Sequence, residues 1–299
     1  MKIYAGSANL SLAEAVTDAM GETLSEREIF VFPDGERRVR VVGPVVDEET
    51  VIIQPTSPPV DRHYLELLFL ADGLKRSGAR SVTAVVPYLG YQRQDHVFRD
   101  GEAVSLDVVV RAMESAGIDR FIVFDLHSVK IAEVFQRPVR ELSALAEFAK
   151  LIKDRGWDND EAVLVSPDMG GIRRIKELSE MLDNMPYVTV VKDRDLSTGN
   201  VEAVSFDGEI KKRAIMVDDM ISSGKTMVEA ARLLRQNGAE EVIAMATHAI
   251  FSKEAPELLE NSLISQVIVT DTVYVPKEKL FQKLGIVSVS GVIAKALKV

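Results

Sequence analysis

The segment Ala214–Met227, with the sequence AIMVDDMISSGKTM, decides the fold class of this chain. An apolar run ends in Asp218 and Asp219, a turn with two serines follows, and an amphipathic helical pattern begins at Lys225. This order predicts a buried strand with an acidic pair at its carboxyl end. It also predicts a helix whose first backbone N–H groups can bind an anion. The acids suit ribose hydroxyls or a hydrated Mg²⁺, and the turn suits a phosphate.

Two other interpretations of this segment compete with the first. An acidic pair before serine is also a common helix N-cap pattern, and this alternative stays open. Gly224-Lys225-Thr226 resembles the end of the P-loop motif G-x-x-x-x-G-K-[ST]. The first glycine of that motif would fall on Asp219, whose carboxylate would face the phosphates. The P-loop is therefore excluded.

Length and composition bound the class of protein. A chain of 299 residues is long enough for two domains. The formal net charge of -10 argues against binding to nucleic acid or an anionic membrane through bulk charge. The chain has no cysteine, which excludes disulfides and thiolate metal sites. Because it shows neither a long apolar run nor a signal-peptide core, we expect a cytoplasmic protein without a membrane partner.

Apolar, β-rich runs alternate with helical patterns along the whole chain. Strand patterns include Ser81–Val86, Arg213–Asp218 and Glu241–Thr247, and helical patterns include Leu142–Lys153 and Lys225–Gln236. Buried strands that alternate with helices of this length predict an α/β fold, with mostly parallel sheets flanked by helices.

The chain also repeats itself. Leu74–Val82 (LKRSGARSV) recurs as Leu234–Val242 (LRQNGAEEV), and each copy predicts a helix end, a glycine cap and a following strand. Because each copy lies within a series of alternating strands and helices, the repeat favours duplication of one domain. We place the boundary near Arg140–Ser143, which gives domains 1–141 and 142–299.

Polar side chains follow two further strand patterns, where open α/β sheets bind their ligands. His127 follows the apolar run at Phe121–Phe124, and it is either a core histidine bonded to a carbonyl or a site residue. Asp168 follows the run at Val163–Ser166 and precedes two glycines, so it is either a helix cap or a ligand of Mg²⁺ or ribose. We favour the ligand for Asp168.

Three other clusters contain residues that could bind a ligand or take part in catalysis. Arg93 and Gln94 follow a strand pattern, and a guanidinium next to an amide suits a triphosphate. The segment Phe32–Glu36 taken alone predicts an ordinary β-turn. Lys192 and Arg194 leave a strand and enter a polar loop, which is either a solvated loop or a flap that places cations on bound phosphates.

Taken together and in this order, the motifs resemble the ribose-phosphate pyrophosphokinase family over nearly the whole chain. The resemblance implies two phosphoribosyltransferase-like domains in tandem, in agreement with the repeat. It implies transfer of the diphosphoryl group of Mg-ATP to the C1 hydroxyl of ribose 5-phosphate. It also implies a homo-oligomer, at least a dimer, because the loop at Phe32–Glu36 reaches a neighbouring subunit's site in the family.

The resemblance implies a role for each motif residue. The ATP-binding residues would be Phe32, Asp34, Gly35, Glu36, Arg93 and Gln94, and the metal-associated residues would be His127 and Asp168. The catalytic cations would be Lys192 and Arg194. Ribose 5-phosphate would be bound by Arg194, Asp218, Asp219, Ser222, Ser223, Gly224, Lys225 and Thr226.

The phosphate turn departs from the family pattern in two ways. Related sequences commonly carry a second glycine at the position of Lys225, and Ser222-Ser223 replaces the usual Ser-Thr or Asp-Thr, so the role of Lys225 stays open. Mg²⁺ prefers oxygen ligands, so His127 contacts it through water or binds the nucleotide instead.

Two rival functions compete with the synthase. A nucleobase phosphoribosyltransferase uses the same acidic motif, but it usually needs one such domain, and the duplication and the Arg93-Gln94 pair argue against it. A catalytically silent regulatory homologue is disfavoured because Lys192, Arg194, His127 and Asp168 are all present.

Overall fold

The computed structural model describes residues 1–194 and 201–298, and within 191–194 and 201–205 it describes the backbone alone. The chain divides into two units. Unit 1 comprises Met1–Ser143, Thr272–Tyr274 and the C-terminal segment from Ser288, and unit 2 comprises Ala144–Asp271 and Val275–Val287. No helix within 1–194 and 201–298 has the length and apolar character needed to cross a bilayer.

Unit 1 is built on a five-stranded parallel sheet. Its elements in chain order are β1 (Lys2–Ala5), α1 (Leu10–Met20), β2 (Arg27–Val31), β3 (Arg37–Val41), β4 (Glu49–Ile53), α2 (Val60–Arg76), β5 (Ser81–Val86), α3 (Ser105–Ser115), β6 (Arg120–Phe124) and β7 (Val139–Leu142). The strand order is β1-β4-β5-β6-β7, and β2 and β3 form a separate antiparallel pair. The apolar strands of the main sheet are buried, as parallel strands covered on both faces require.

Unit 2 has a seven-stranded sheet. Its elements are α4 (Leu145–Asp154), β8 (Ala162–Ser166), α5 (Ile172–Met181), β9 (Tyr187–Arg194), β10 (Val201–Phe206), β11 (Arg213–Ile221), α6 (Lys225–Gln236), β12 (Glu241–Ala249), α7 (Ala255–Glu260), β13 (Gln266–Thr270) and β14 (Leu284–Val287). The strand order is β10-β9-β8-β11-β12-β13-β14, and within this sheet β10 alone pairs antiparallel. The predicted α/β fold with mostly parallel sheets is confirmed.

The two sheets share one topology. The order β1-β4-β5-β6-β7 matches β8-β11-β12-β13-β14, with a strand pair inserted after the first strand of each series. In unit 1 this pair stands apart from the main sheet, and in unit 2 it extends the sheet edge. This correspondence is what a duplication of one domain requires.

The repeated segment has the same local structure in both copies. The N–H of Ala79 donates to the carbonyl of Leu74 at 3.1 Å, and the N–H of Ala239 donates to the carbonyl of Leu234 at 3.0 Å. Gly78 and the matching glycine of unit 2 have φ of 89° and 103°, as the left-handed cap after a helix requires. Both leucines are fully buried, so each copy joins a helix to a core strand in the same way.

The strand order of unit 2 reverses between β8 and β11. From β8 the chain passes through α5 to β9 on one side, whereas from β11 it passes through α6 to β12 on the other side. Ligands of open α/β sheets bind outside the carboxyl ends of the strands at such a reversal. The topology therefore directs attention to the residues that follow β8 and β11.

The residue ranges of the two units differ from the predicted domains 1–141 and 142–299. The C-terminus was predicted to belong to the second domain, but α8 (Ser290–Leu297) packs against α1 and belongs to unit 1. Arg140 Nη1 donates to the carbonyl of Ala296 at 3.3 Å, and Lys298 Nζ donates to the carbonyl of Ala19 at 3.4 Å. That the two units correspond to duplicated domains stays a prediction.

Candidate functional site

The acidic pair of unit 2 lies within β11, near its carboxyl end. The sequence predicted that this strand ends at Asp218, but it continues to Ile221 because Met220 and Ile221 still pair with β12. On the other side, pairing with β8 stops at Met216. Within the described residues, the part of β11 beyond Met216 therefore pairs with β12 alone. Asp218 and Asp219 lie in this part, next to the edge of β11 that β8 no longer covers.

Asp218 and Asp219 place two negative charges next to each other, and these charges repel. Asp219 is 4% exposed, and its backbone N–H donates to Asp218 Oδ1 at 2.8 Å. Burial raises the pKa of the Asp218 carboxyl well above its usual range, and the nearby Asp219 and Asp168 carboxyls raise it further. Such a cluster is stabilised by a ligand that brings hydroxyl donors or a cation.

Arg174 lies beside the acidic pair, a position that was not predicted from the sequence. Its Nη1 lies 3.4 Å from Asp218 Oδ1, and both side chains are largely buried. This guanidinium lowers the pKa of Asp218 and so partly offsets the acidic neighbours. Arg174 belongs to the first turn of α5, where the sequence shows an ordinary charged helix surface, so no local signal distinguishes it from Arg173.

The turn Ser222–Thr226 connects β11 to α6, as predicted. Gly224 is the N-cap residue, with φ of 76°, and no side chain among the described residues caps this end of the helix. Ser223, Lys225 and Thr226 are exposed, and Ser222 Oγ lies 3.3 Å from Ser252 Oγ. The first N–H groups of a 12-residue helix therefore meet exposed hydroxyls and one cation, which is the chemistry of an anion site.

Asp168 follows β8, across the reversal from the acidic pair. Its Oδ1 accepts from the N–H of Gly170 at 2.9 Å and of Gly171 at 3.3 Å, so the capping role left open by the sequence is present. The side chain is also exposed, and its charge acts on Asp218. The position of Asp168 is therefore compatible both with a helix cap and with a ligand of Mg²⁺ or ribose. The backbones of Lys192 and Arg194 belong to β9, and their side chains lie outside the described residues.

In unit 1 the predicted residues follow β5 and β6, which are neighbours in the sheet. Arg93 and Gln94 are exposed in the turn after β5, and His127 is exposed in the turn after β6. The backbone N–H of His127 donates to Oε1 of Gln92 at 3.0 Å, which links the two turns. The structure thus brings these segments together, whereas the interpretation of His127 as a buried core histidine is wrong.

The remaining predicted ATP-binding residues form the tip of the β2–β3 hairpin. Phe32 N–H donates to the carbonyl of Glu36 at 2.8 Å, and Glu36 N–H donates to Asp34 Oδ1 at 3.0 Å. Gly35 has φ of 92°, which few other residues adopt without strain. The phenyl ring of Phe32 stays 37% exposed and packs edge-on against Phe30. The tip is a β-turn, as predicted, and it presents an aromatic face to solvent.

The acidic residues of unit 2 have the donor chemistry that Mg²⁺ takes. This ion binds through one or two carboxylates together with water and substrate phosphates. Asp168 offers an exposed carboxylate whose charge acts on Asp218, and burial together with the neighbouring acids raises the pKa of Asp218. Within the described residues, no group of three or more histidine and acidic side chains forms a metal cluster. The residues present fit a magnesium ion that arrives with a phosphorylated substrate.

A parallel α/β unit with an acidic pair beside an anion-binding turn defines a phosphoribosyltransferase-like protein. The family model described as the N-terminal domain of ribose phosphate pyrophosphokinase matches residues 1–117, and that described as the phosphoribosyl synthetase-associated domain matches residues 172–299. The chain belongs to the ribose-phosphate pyrophosphokinase family.

Full-length relatives agree with this assignment. The ribose-phosphate pyrophosphokinases of Fusobacterium nucleatum and Thermotoga maritima are 36% and 37% identical to the chain, covering 99% of it and 94% of each relative. The crystal structure of phosphoribosylpyrophosphate synthetase from Mycobacterium smegmatis superposes with a TM-score of 0.93 at 30% identity. It covers 99% of this chain and 97% of that one.

Proposed function

We propose that the chain transfers the diphosphoryl group of Mg-ATP to the C1 hydroxyl of ribose 5-phosphate, giving 5-phosphoribosyl 1-diphosphate and AMP. Membership of the family over the full length supports this function. The main structural support is the acidic pair of β11, which lies beside the N-terminus of α6, where no side chain caps the helix. The acids suit the hydroxyls of a sugar phosphate, and the helix N-terminus suits its phosphate.

Ribose 5-phosphate is assigned to unit 2. The carboxylates of Asp218 and Asp219 accept hydrogen bonds from ribose hydroxyls, and the ladder with β12 fixes their backbone. The exposed side chains of Ser223 and Thr226 and the first N–H groups of α6 bind the 5-phosphate. Lys225 adds a positive charge on the same exposed turn.

The nucleotide is assigned to residues of unit 1. Arg93 binds phosphate oxygens through its guanidinium fork, and Gln94 and His127 offer further donors. Phe32 at the hairpin tip stacks on the adenine, with Asp34, Gly35 and Glu36 beside it. ATP as the donor and the homo-oligomer implied by the hairpin remain part of this proposal, as does a cytoplasmic location.

The reaction requires little covalent help from the protein. The C1 hydroxyl oxygen attacks the β-phosphorus, the bond from that phosphorus to the α,β-bridging oxygen breaks, AMP leaves, and the hydroxyl proton is released to solvent. Positioning and charge neutralisation supply the acceleration. Asp168 would hold Mg²⁺, which neutralises charge on the phosphates when bound, and His127 would contact it through water or bind the nucleotide. Lys192 and Arg194 are proposed to place cations on the transferring group.

The test is to incubate the purified chain with ribose 5-phosphate and Mg-ATP and to follow AMP and the new diphosphate by ³¹P NMR. We expect one AMP for each 5-phosphoribosyl 1-diphosphate, without any nucleobase present. Asp219→Asn should abolish most turnover, and Asp183→Asn, an exposed acid of the same unit, is the matched control. AMP formation that requires a nucleobase, or no reaction by the chain alone, would contradict the proposal in favour of a phosphoribosyltransferase or a silent homologue.

A further inference from the structure

Gln92 joins the two turns that carry the exposed Arg93 and His127. It follows β5 in the sequence, and its Oε1 accepts a hydrogen bond from the backbone N–H of His127 at 3.0 Å. The side chain of Gln92 is 1% exposed, whereas its neighbours Arg93 and Gln94 are exposed. A buried amide thus lies beneath the surface that the proposed function assigns to ATP.

Only one half of this amide has a partner. Nε2 of Gln92 is buried without a hydrogen-bond acceptor among the described residues. The amide cannot be reversed to remove the problem, because its oxygen must face the N–H of His127. A buried donor without an acceptor costs free energy of desolvation, so an apolar residue would serve a purely structural role better. An apolar residue could not accept a hydrogen bond from the His127 N–H, so this contact is the reason to assign a role to Gln92.

The turn that Gln92 contacts is held from the opposite side as well. Leu126 N–H donates to Glu141 Oε1 at 2.8 Å, and Ser143 Oγ donates to Asp125 Oδ1 at 2.6 Å. Both acceptor and donor side chains come from the β7 edge of the sheet. The Gln92 contact comes instead from the β5 side, where the nucleotide residues lie.

The turn of Gln92 is itself fixed. Gly90 N–H donates to Thr56 Oγ1 at 2.8 Å, and Tyr64 Oη donates to the Gly90 carbonyl at 2.8 Å. A Cβ atom at Gly90 would lie 2.6 Å from the Thr56 carbonyl oxygen, so the backbone is packed tightly at this point. Gln92 therefore projects from a rigid support, which is what an orienting group requires.

We propose that Gln92 is a positioning residue for nucleotide binding, acting through the backbone of His127 to fix that turn relative to Arg93. The inference rests on the proposed function for the identity of the nucleotide. It assigns a role to a buried residue next to the predicted ATP pair, and it separates that role from direct contact with the substrate.

The test is Gln92→Met, which keeps the volume of the side chain but removes the acceptor for the His127 N–H. We expect the KM for Mg-ATP to rise roughly 10- to 100-fold, the scale for loss of a partner that orients a ligand-binding group. The KM for ribose 5-phosphate should change little. Thr50→Val is the matched control, because Thr50 is equally buried and bonds the Ser81 carbonyl at 2.7 Å, but it lies at the amino end of β4.

A second measurement tests whether Gln92 acts through His127. His127→Ala keeps the backbone N–H but removes the side chain that the turn orients, so Gln92→Met should have little further effect on kcat/KM for Mg-ATP in this background, and additive losses would contradict the proposal. Hydrogen exchange of the wild-type chain should show a protected His127 amide. Rapid exchange of that amide would overturn the proposal even if the variant does not fold.

These outcomes separate the inference from the proposed function. A wild-type chain that forms no AMP contradicts the proposed function. An active wild-type chain whose Gln92→Met variant keeps its KM for Mg-ATP contradicts the role of Gln92 alone.

Discussion

Arg174 Nη1 lies 3.4 Å from Asp218 Oδ1, although the two residues are 44 positions apart in the chain. The contact joins the first turn of α5 to β11, across the point where the strand order of unit 2 reverses. It places one cation among three acids, Asp168, Asp218 and Asp219, and lowers the pKa of Asp218, which is proposed to bind ribose.

Replacement of Arg174 by methionine should impair use of ribose 5-phosphate. Loss of the guanidinium raises the pKa of Asp218 further, so the acid side of the pH profile of kcat/KM should move to higher pH. We expect kcat/KM for ribose 5-phosphate to fall roughly 10- to 100-fold, as for one hydrogen bond to a charged group. Arg173→Met is the control, because Arg173 pairs with Glu177 on the exposed surface of the same helix. Equal effects of the two variants would show that helix charge, rather than the contact, matters.

Asp218→Asn should stabilise the unliganded protein at neutral pH. The folded pKa of Asp218 lies above its ordinary value of 3.8, so the folded state binds more protons than the unfolded state between these two values. Stability therefore falls as pH rises through that window, and asparagine removes the loss. We therefore expect a higher Tm for the variant than for the wild-type chain at pH 7, measured in EDTA without substrates. The gain should vanish near pH 3, and a Tm difference independent of pH would contradict this account.

Gly224→Ala should weaken binding of ribose 5-phosphate as well as stability. Its φ of 76° is unfavourable for alanine by roughly 1–2 kcal/mol, and the new Cβ would lie 3.3 Å from Leu259 Cγ. Gly156→Ala is the matched control, because Gly156 has φ of 62° with nothing near its Cβ position. Both variants should lose stability in urea denaturation, and we expect a raised KM for ribose 5-phosphate in Gly224→Ala alone.

Lys192→Ala should keep the fold and lower turnover. If the side chain places a cation on the transferring group, kcat should fall roughly 10²- to 10³-fold, the scale for loss of one transition-state donor. Lys176→Ala, which removes an exposed cation of α5, serves as the control. A kcat close to that of the wild-type chain would remove Lys192 from the mechanism.

Elements with strong apolar periodicity could be predicted from the sequence. The bounds of β5 and α6 are as predicted, because β5 is a buried run and α6 an amphipathic helix between clear turn residues. The strand β7 was missed, since Val139–Leu142 contains two charged residues and its pairing with β6 is a tertiary contact. The predicted helix Leu142–Lys153 accordingly begins three residues later, at Leu145.

The candidate site shows the same limit. The acids, glycines and hydroxyls that follow each strand could be found because strand ends are visible in the sequence. Arg174 and Gln92 could not, because each acts on a residue of a distant segment, Asp218 and His127, and each lies in a stretch with other polar residues. What the sequence does not reveal is the contact between a side chain and a segment that is distant in the chain.

The position of Asp218 and Asp219 within a paired strand separates the two parts of the proposed pentose site. Asp218 is in register with Ala246 of β12 and Met220 with His248, so the acids proposed to bind the ribose hydroxyls belong to the sheet, whereas the proposed phosphate contacts come from a connecting turn. An engineer could therefore graft a different Ser222–Thr226 turn and change the anion that is accepted. Because the two acids belong to the sheet and not to the turn, the proposed contacts with the sugar hydroxyls should stay the same.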